Sequence, residues 1–162
     1  MAEKDYYLKI DGIKGESKKL GHLGEIEMDN WGFGETQSGT AAMGSGSAAG
    51  RVSMQDFHFS KPVDSSTPLL FQHCANGKLI KEAVFTTQRT GESGGKPIEY
   101  LKVIFGDVII SSHNVSGGGD GLPMESISFN FANVRWEYKE VIKGVAQGAI
   151  KGGYDVKLAK KI

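Results

Sequence analysis

With 162 residues, 39% of them hydrophobic, the chain fits one ordinary domain whose core needs no disulfide or metal staple. Nineteen Lys and Arg balance nineteen Asp and Glu, so no net field draws it toward nucleic acid or an anionic membrane. The local positives, Lys18-Lys19 and the run from Lys157 to Lys161, lack the interleaved aromatics of a single-strand binder.

Short alternating runs dominate. The first places Tyr6, Leu8 and Ile10 on one face and Tyr7 and Lys9 on the other, which predicts a half-buried strand. The second alternates Ile26 and Met28, then continues as Trp31 and Phe33, so the apolar parity changes; a β-bulge would do that. The same slip occurs between Met54 and Phe57, and again between Phe131 and Val134 within the run Ile127 to Tyr138. Bulges bend strands, and repeated bending lets a sheet curl until its edges meet, so the expected fold is all-β, a bulged antiparallel β-barrel with one short helix and an extended loop. The helix is signalled by Asp64-Ser65-Ser66-Thr67, Pro68 at its first position and Asn76-Gly77 as its stop. It is predicted over Pro68–Ala75, with Leu70/Cys74 and Phe71/Ala75 forming a stripe that plugs one end of the barrel.

Along Tyr100–Ile110 both faces are apolar: Tyr100, Ile104 and Val108 on one, Leu101, Val103, Phe105 and Ile109 on the other. One covers the core; the other meets either a second subunit or the helix or a long loop, with the subunit slightly favoured. The stretches Gly91–Pro97 and Ser116–Pro123 read as hairpin loops, and Tyr154, Val156 and Leu158 as a closing strand. No internal repeat or linker divides residues 1–162, which read as a single domain.

The segment Ser38–Gly50 holds thirteen residues of Ser, Gly, Thr, Ala and one Met, long for a hairpin connection. Fixing it costs on the order of 13 to 26 kcal/mol of backbone entropy. Burying Met43 returns only about 1.5 to 3 kcal/mol. It is therefore either an unfunctional tip or a contact device that orders when its backbone pairs with an edge on another molecule.

Chemistry is sparse. His22, His58, His73 and His113 are scattered without zinc-ligand spacing, so no metal site is expected, and no cofactor. His58, between Phe57 and Phe59, points away from the core. Cys74 is alone, which rules out an internal disulfide, and its place on the helix stripe makes it a core residue. No Gly-x-Ser-x-Gly elbow occurs after a strand and before a helix, and Gly44–Gly50 lacks the Lys-Ser/Thr ending of a phosphate loop. No catalytic residues are assigned, and the chain is not expected to be an enzyme. The N-terminus, Met1 to Leu8, has no apolar core or cleavage site of an export signal, and no stretch is long enough to span a bilayer as a helix. Synthesis in the cytoplasm without a signal peptide is expected, with any exit by a signal-independent route.

One resemblance organises these features. The ordered set Tyr7-Leu8-Lys9-Ile10, Lys14 to Lys18, Trp31 with Gly34, Thr36 to Gly39, the Gly/Ala/Ser loop and Val52 to Asp56 resembles the haemolysin-coregulated protein (Hcp) family. Lys61, Asp64 to Pro68, Ile98 to Leu101, Ile109 to Ser112 and Phe129 to Ala132 agree in the same order. The resemblance implies a phage tail-tube-like barrel that serves as the inner-tube subunit of a bacterial type VI secretion system. It also implies homohexameric rings that stack head to tail, a contractile sheath and a spike as partners, secretion through the system, and small effectors carried or protected in the lumen. On the same footing, Ser38, Thr40, Ala41, Ala42, Met43 and Ser45 form the ring or stacking contact loop. Trp31 and Gly32 are the lumen-facing candidates, with Gly32 leaving no side chain to grip cargo. Some relatives carry a toxic domain after the barrel; this chain, ending at Ile162, is expected to be a plain tube component. The alternative from the residues alone is a monomeric or dimeric β-barrel that binds a small ligand.

Overall fold

The computed structural model describes residues 5–41, 50–89 and 95–162. In chain order the strands are β1 (Tyr6–Ile10), β2 (Ile26–Glu27), β3 (Asn30–Gly32), β4 (Glu35–Gln37), β5 (Val52–Met54) and β6 (Phe57–Pro62). Helix α1 (Thr67–Asn76) follows, then β7 (Ile80–Arg89), β8 (Ile98–Ser116), β9 (Met124–Ile142), β10 (Val145–Asp155) and β11 (Lys160–Lys161). The fold is all-β with one short helix, as the alternation predicts.

The main sheet runs β11-β10-β9-β8-β7-β1-β2, and β6 adds to β9 and carries β3. All pairings are antiparallel. Among the described residues the ladders do not close into an unbroken ring. Residues 26–32 bridge the gap instead: Ile26 and Glu27 pair with β1, Met28 N–H donates to the Tyr6 carbonyl, Asp29 N–H donates to the Ser60 carbonyl, and Asn30 to Gly32 pair with β6. The parity change between Met28 and Trp31 is thus a change of partner strand, not a bulge. The one between Met54 and Phe57 has the same origin, because β5 pairs with β4 in a separate two-stranded sheet while β6 joins the main one.

The third slip is a kink shared by two strands. On β8 the core side changes from Val103 and Phe105 to Val108 and Ile110; on β9 it changes from Val134 to Phe131 and Phe129. The register is the same on both sides of the change, and Asp107 takes a left-handed backbone conformation, φ 52°. Val108 therefore shares the core face with Val103 and Phe105, which corrects the assignment from simple alternation. True extra residues occur elsewhere, at Tyr100 against β7, at Ser111 against β9 and near Gln147 in β10.

The core is aromatic. Phe57 lies at its centre, 5.0 Å from Phe129, 5.2 Å from Phe105 and 5.7 Å from Phe85 between ring centroids. Leu8, Ile26, Met28, Phe59 and Val103 complete it, all essentially inaccessible to solvent. Tyr7, expected on the open face of β1, is buried: its ring stacks on His22 at 4.2 Å and 6°. The loop between β1 and β2 folds back over this face, held by Gly15 N–H to the Gly24 carbonyl and Ser17 N–H to the Glu25 carbonyl.

Helix α1 starts after Ser66, has Pro68 in its first turn and ends on Gly77 in the left-handed conformation, φ 63°. It packs against β8 from the core side, where Phe71 meets His113 edge-on and Thr67 Oγ1 donates to the buried Glu125. Its buried residues are Leu70 and His73, with Cys74 packed against the core. Phe71 is 62% exposed, so the stripe runs Leu70-His73-Cys74 and does not include Phe71 with Ala75. The predicted closing strand is also displaced. β10 ends at Asp155, Val156 to Ala159 form a turn, and β10 with β11 lies outside β9 without closing the barrel.

Candidate functional site

Alternation fixes what each strand shows to the outside. Phe57, Phe59 and Lys61 of β6 are buried, so His58 and Ser60 face outward; Glu125, Ile127 and Phe129 of β9 are buried, so Ser126, Ser128 and Asn130 face outward. Directly opposed residues share a face, and the pairs His58↔Ser128, Ser60↔Ser126 and Asn114↔Ser126 assemble a polar surface across β6, β9 and β8. The extra residue at Ser111 brings two hydroxyls to one neighbour. Ser111 and Ser112 lie 2.7 and 2.6 Å from Ser128 Oγ, and Ser111 Oγ donates to Asp56 Oδ2 at 2.6 Å. The centre of this face therefore offers small hydroxyl and amide groups, already partly satisfied by one another.

Gly32 lies on the same face, opposite His58 in the β3/β6 register. A Cβ at Gly32 would stand 2.9 Å from His58 Nε2, so the imidazole occupies the space a side chain would fill. Trp31, one residue away, points the other way: its ring lies 4.4 Å from Phe85 and stacks on Phe57 at 6.0 Å. The two candidates read together as channel-facing do not share a face. Trp31 is half-buried and packs its ring against the core, and the group presented beside Gly32 is His58, which the sequence marked only as pointing outward.

The loop candidates hang from a projecting arm. Among the described residues β4 and β5 pair only with each other, through Glu35↔Met54, Thr36↔Ser53 and Gln37↔Val52. The arm is rooted by Phe33, which stacks on Trp136 at 5.3 Å and meets Phe105 edge-on at 5.4 Å. At its far end Ser38 Oγ accepts from Arg51 N–H at 3.0 Å, and Gly39 N–H donates to Gln37 Oε1 at 3.0 Å. Glu35, Thr36, Gln37, Ser38, Thr40 and Ala41 are exposed; Ala42, Met43 and Ser45 lie outside the described residues.

A second constellation escaped the sequence reading. Lys61, fully buried, pairs with Glu125 and donates to Asp64 Oδ1 at 2.7 Å and to the Pro62 carbonyl at 3.2 Å. Glu125 also accepts from Thr67 Oγ1 at 2.8 Å and lies 2.7 Å from His113 Nε2. Ser66 N–H and Oγ–H donate to Asp64. This network ties the start of α1 to β6, β8 and β9. The only signal for it in the sequence was a lysine following the β6 core positions at strand spacing, Phe57, Phe59, Lys61.

Among the described residues no three His, Cys, Asp or Glu side chains converge as metal ligands, and no helix is long and apolar enough to cross a membrane. His22 has Glu25 Oε1 3.0 Å from Nδ1 and Glu99 Oε1 3.0 Å from Nε2, the latter without hydrogen-bond geometry. His73 donates from Nδ1 to the Leu69 carbonyl at 2.7 Å, a contact internal to the helix.

Comparison with known proteins decides the family. The profile described as "Type VI secretion system effector, Hcp" matches residues 7–138, and Protein hcp1 of Pseudomonas aeruginosa is 36% identical over 156 residues, 94% of this chain and 95% of that one. The chain belongs to the Hcp family. Hcp1 of Salmonella typhimurium, whose crystal structure covers 98% of both chains, aligns with a TM-score of 0.80 at 38% identity. A type VI secretion system effector from Yersinia pestis aligns with a TM-score of 0.77 at 32% identity, over 94% of this chain and 100% of that one. This Hcp is accordingly a protein of the type VI secretion system, and a tube component by family.

Proposed function

We propose that this Hcp is the structural subunit of the type VI inner tube: six copies form a ring, rings stack head to tail, and a contracting sheath propels the tube with its spike out of the cell. The observation that carries this reading is the arm. A two-stranded ribbon is at best marginally stable on its own, and β4 exposes all three of its residues, so the arm calls for a surface outside its own chain. The polar face of His58, Ser60, Ser126 and Ser128 suits the wall of a water-filled lumen. Its small, mutually bonded hydroxyls grip nothing by shape, which fits passage of small effectors of varied surface.

The ligand-barrel alternative is disfavoured by the interior, where Phe57, Phe59, Phe85, Phe105 and Phe129 fill the space a ligand would need. Negative-stain imaging with native mass spectrometry tests the ring: annular particles of sixfold mass are expected, and a monodisperse monomer at high concentration sinks the reading. Deleting Thr40 to Ala48 tests the arm. Rings should persist while stacking and export fall; unchanged stacking and export refute the contact role.

A further inference from the structure

The chain's charge, zero in total, is distributed unevenly. Residues 133–162 carry seven Lys and Arg against three Asp and Glu, a net of +4, so residues 1–132 carry −4. The basic part is the distal half of β9 with β10 and β11, a ribbon that runs on past the aromatic core.

One face of this ribbon continues the core pattern, interrupted by Glu140, with none of the described residues over its end. Tyr138 is opposite Ile150 and Ile142 opposite Val145, so the four side chains share a face, in line with Trp136 where Phe33 covers it. Their exposures are 44%, 68%, 47% and 61%. The other face carries Lys139 and Lys151, together with Glu137, whose Oε1 lies 3.6 Å from Lys151 Nζ. The ribbon's rim is open as well: β9 pairs with one edge of β10, but on the other edge β11 reaches only Tyr154 and Asp155, leaving Val145 to Gly152 unpaired there among the described residues. An apolar face, a basic face and an open strand edge on one projecting element are the marks of a protein-docking surface.

We propose that this ribbon is the surface by which one copy docks head to tail on the next, its apolar face and β10 edge against the acidic body of the neighbour. The inference rests on the ring reading above and specifies which element makes the contact. Charge selects the geometry. Ribbon against ribbon would set +4 against +4, and such a two-fold contact closes on itself as a dimer; ribbon against body sets +4 against −4 and leaves each copy one ribbon and one body to offer, which is what a ring requires. The open backbone edge favours a protein over a lipid surface, since only a polypeptide can extend the ladder.

The test uses the full chain and two double variants, Lys139→Glu/Lys151→Glu and Val145→Ser/Ile150→Ser, with assembly followed by analytical ultracentrifugation from low to high salt. All four positions are exposed, and the charge pair alone suffices if the serine variant does not fold. Either variant should require at least tenfold more protein to assemble, and the charge variant should also lose the salt dependence shown by the parent. A parent that stays monomeric throughout overturns the ring reading and this inference together. Parent rings that both variants form equally well overturn this inference alone. So does unchanged assembly accompanied by lost co-sedimentation with anionic phosphatidylserine vesicles, which would assign the ribbon to a membrane surface.

Discussion

Replacing Lys61 with Met probes the buried network most directly. The lysine is fully buried and compensates two carboxylates, Glu125 and Asp64; Met fills a similar volume and removes the charge. Glu125 would keep Thr67 and His113, and Asp64 would keep the Ser66 donors, but the buried Glu125 and the half-buried Asp64 would both lose the lysine they share. Leaving a buried charge uncompensated costs about 3–5 kcal/mol. For a chain of this size each kcal/mol shifts the midpoint by about 2–4 °C, so the Tm should drop by roughly 6–20 °C. Adding Glu125→Gln should raise stability again, because the amide oxygen can still accept from Thr67 while one of the two unpaired charges is gone. Urea unfolding of the parent, both single variants and the double variant at one fixed protein concentration closes the cycle, assembly being itself a source of apparent stability. A Lys61→Met loss below about 1 kcal/mol, or a double variant whose loss equals the sum of the singles, would show that the network is not the coupled unit drawn from its geometry.

Four further substitutions separate faces that the sequence could not. Trp31→Ala should cost about 3 kcal/mol, as expected for an aromatic packed on Phe57 and Phe85; a denaturation midpoint close to the parent's would return Trp31 to the surface. Gly32→Ala should cost less than about 1 kcal/mol, because the new methyl meets only the movable ring of His58, yet His58 should become more reactive to an imidazole-acylating reagent; unaltered reactivity contradicts the packing. On α1, Leu70→Ala should cost about 2–5 kcal/mol and Phe71→Ala less than about 1 kcal/mol, and equal losses in thermal unfolding would place the wrong side of the helix inward.

Much of the fold was legible where one physical signal acted alone. β1, the helix boundaries to within a residue at each end, and the loop connecting β8 to β9 follow from alternation, Pro68, Gly77 and the glycine-rich segment before Pro123. Legibility failed where tertiary context overrode the pattern. β7 has no clean period because its later residues Thr86, Thr87 and Gln88 are buried despite being polar, and β10 is exposed nearly throughout, so burial imposed no alternation on it. Parity slips were visible but their causes were not, since a bulge, a change of partner and a shared kink shift the apolar series alike. Likewise the face of Gly32 could be assigned only with the β6 register in hand, and the network around Lys61 draws in groups from α1, β8 and β9.

Pairing partners also set an order of events along the chain. Of the apolar strands made first, β1 and β6 find main-sheet partners in β7 and β9, and β2 joins through β1: Tyr6 pairs with Thr87, and Phe57 with Phe129. By contrast β8 pairs with β9, and β9 with β10, across short turns. Loop closure therefore favours the late hairpins as the nucleus, with the N-terminal strands docking onto a template synthesised after them. Pulse-labelled hydrogen exchange during refolding should show amides of β8 and β9 protected before those of β1, and the reverse order would refute this. The emerging polypeptide must then hold Leu8, Ile26, Phe57 and Phe59 unsheltered until its last third has left the ribosome, so a copy becomes competent to join others only when its own synthesis is nearly complete.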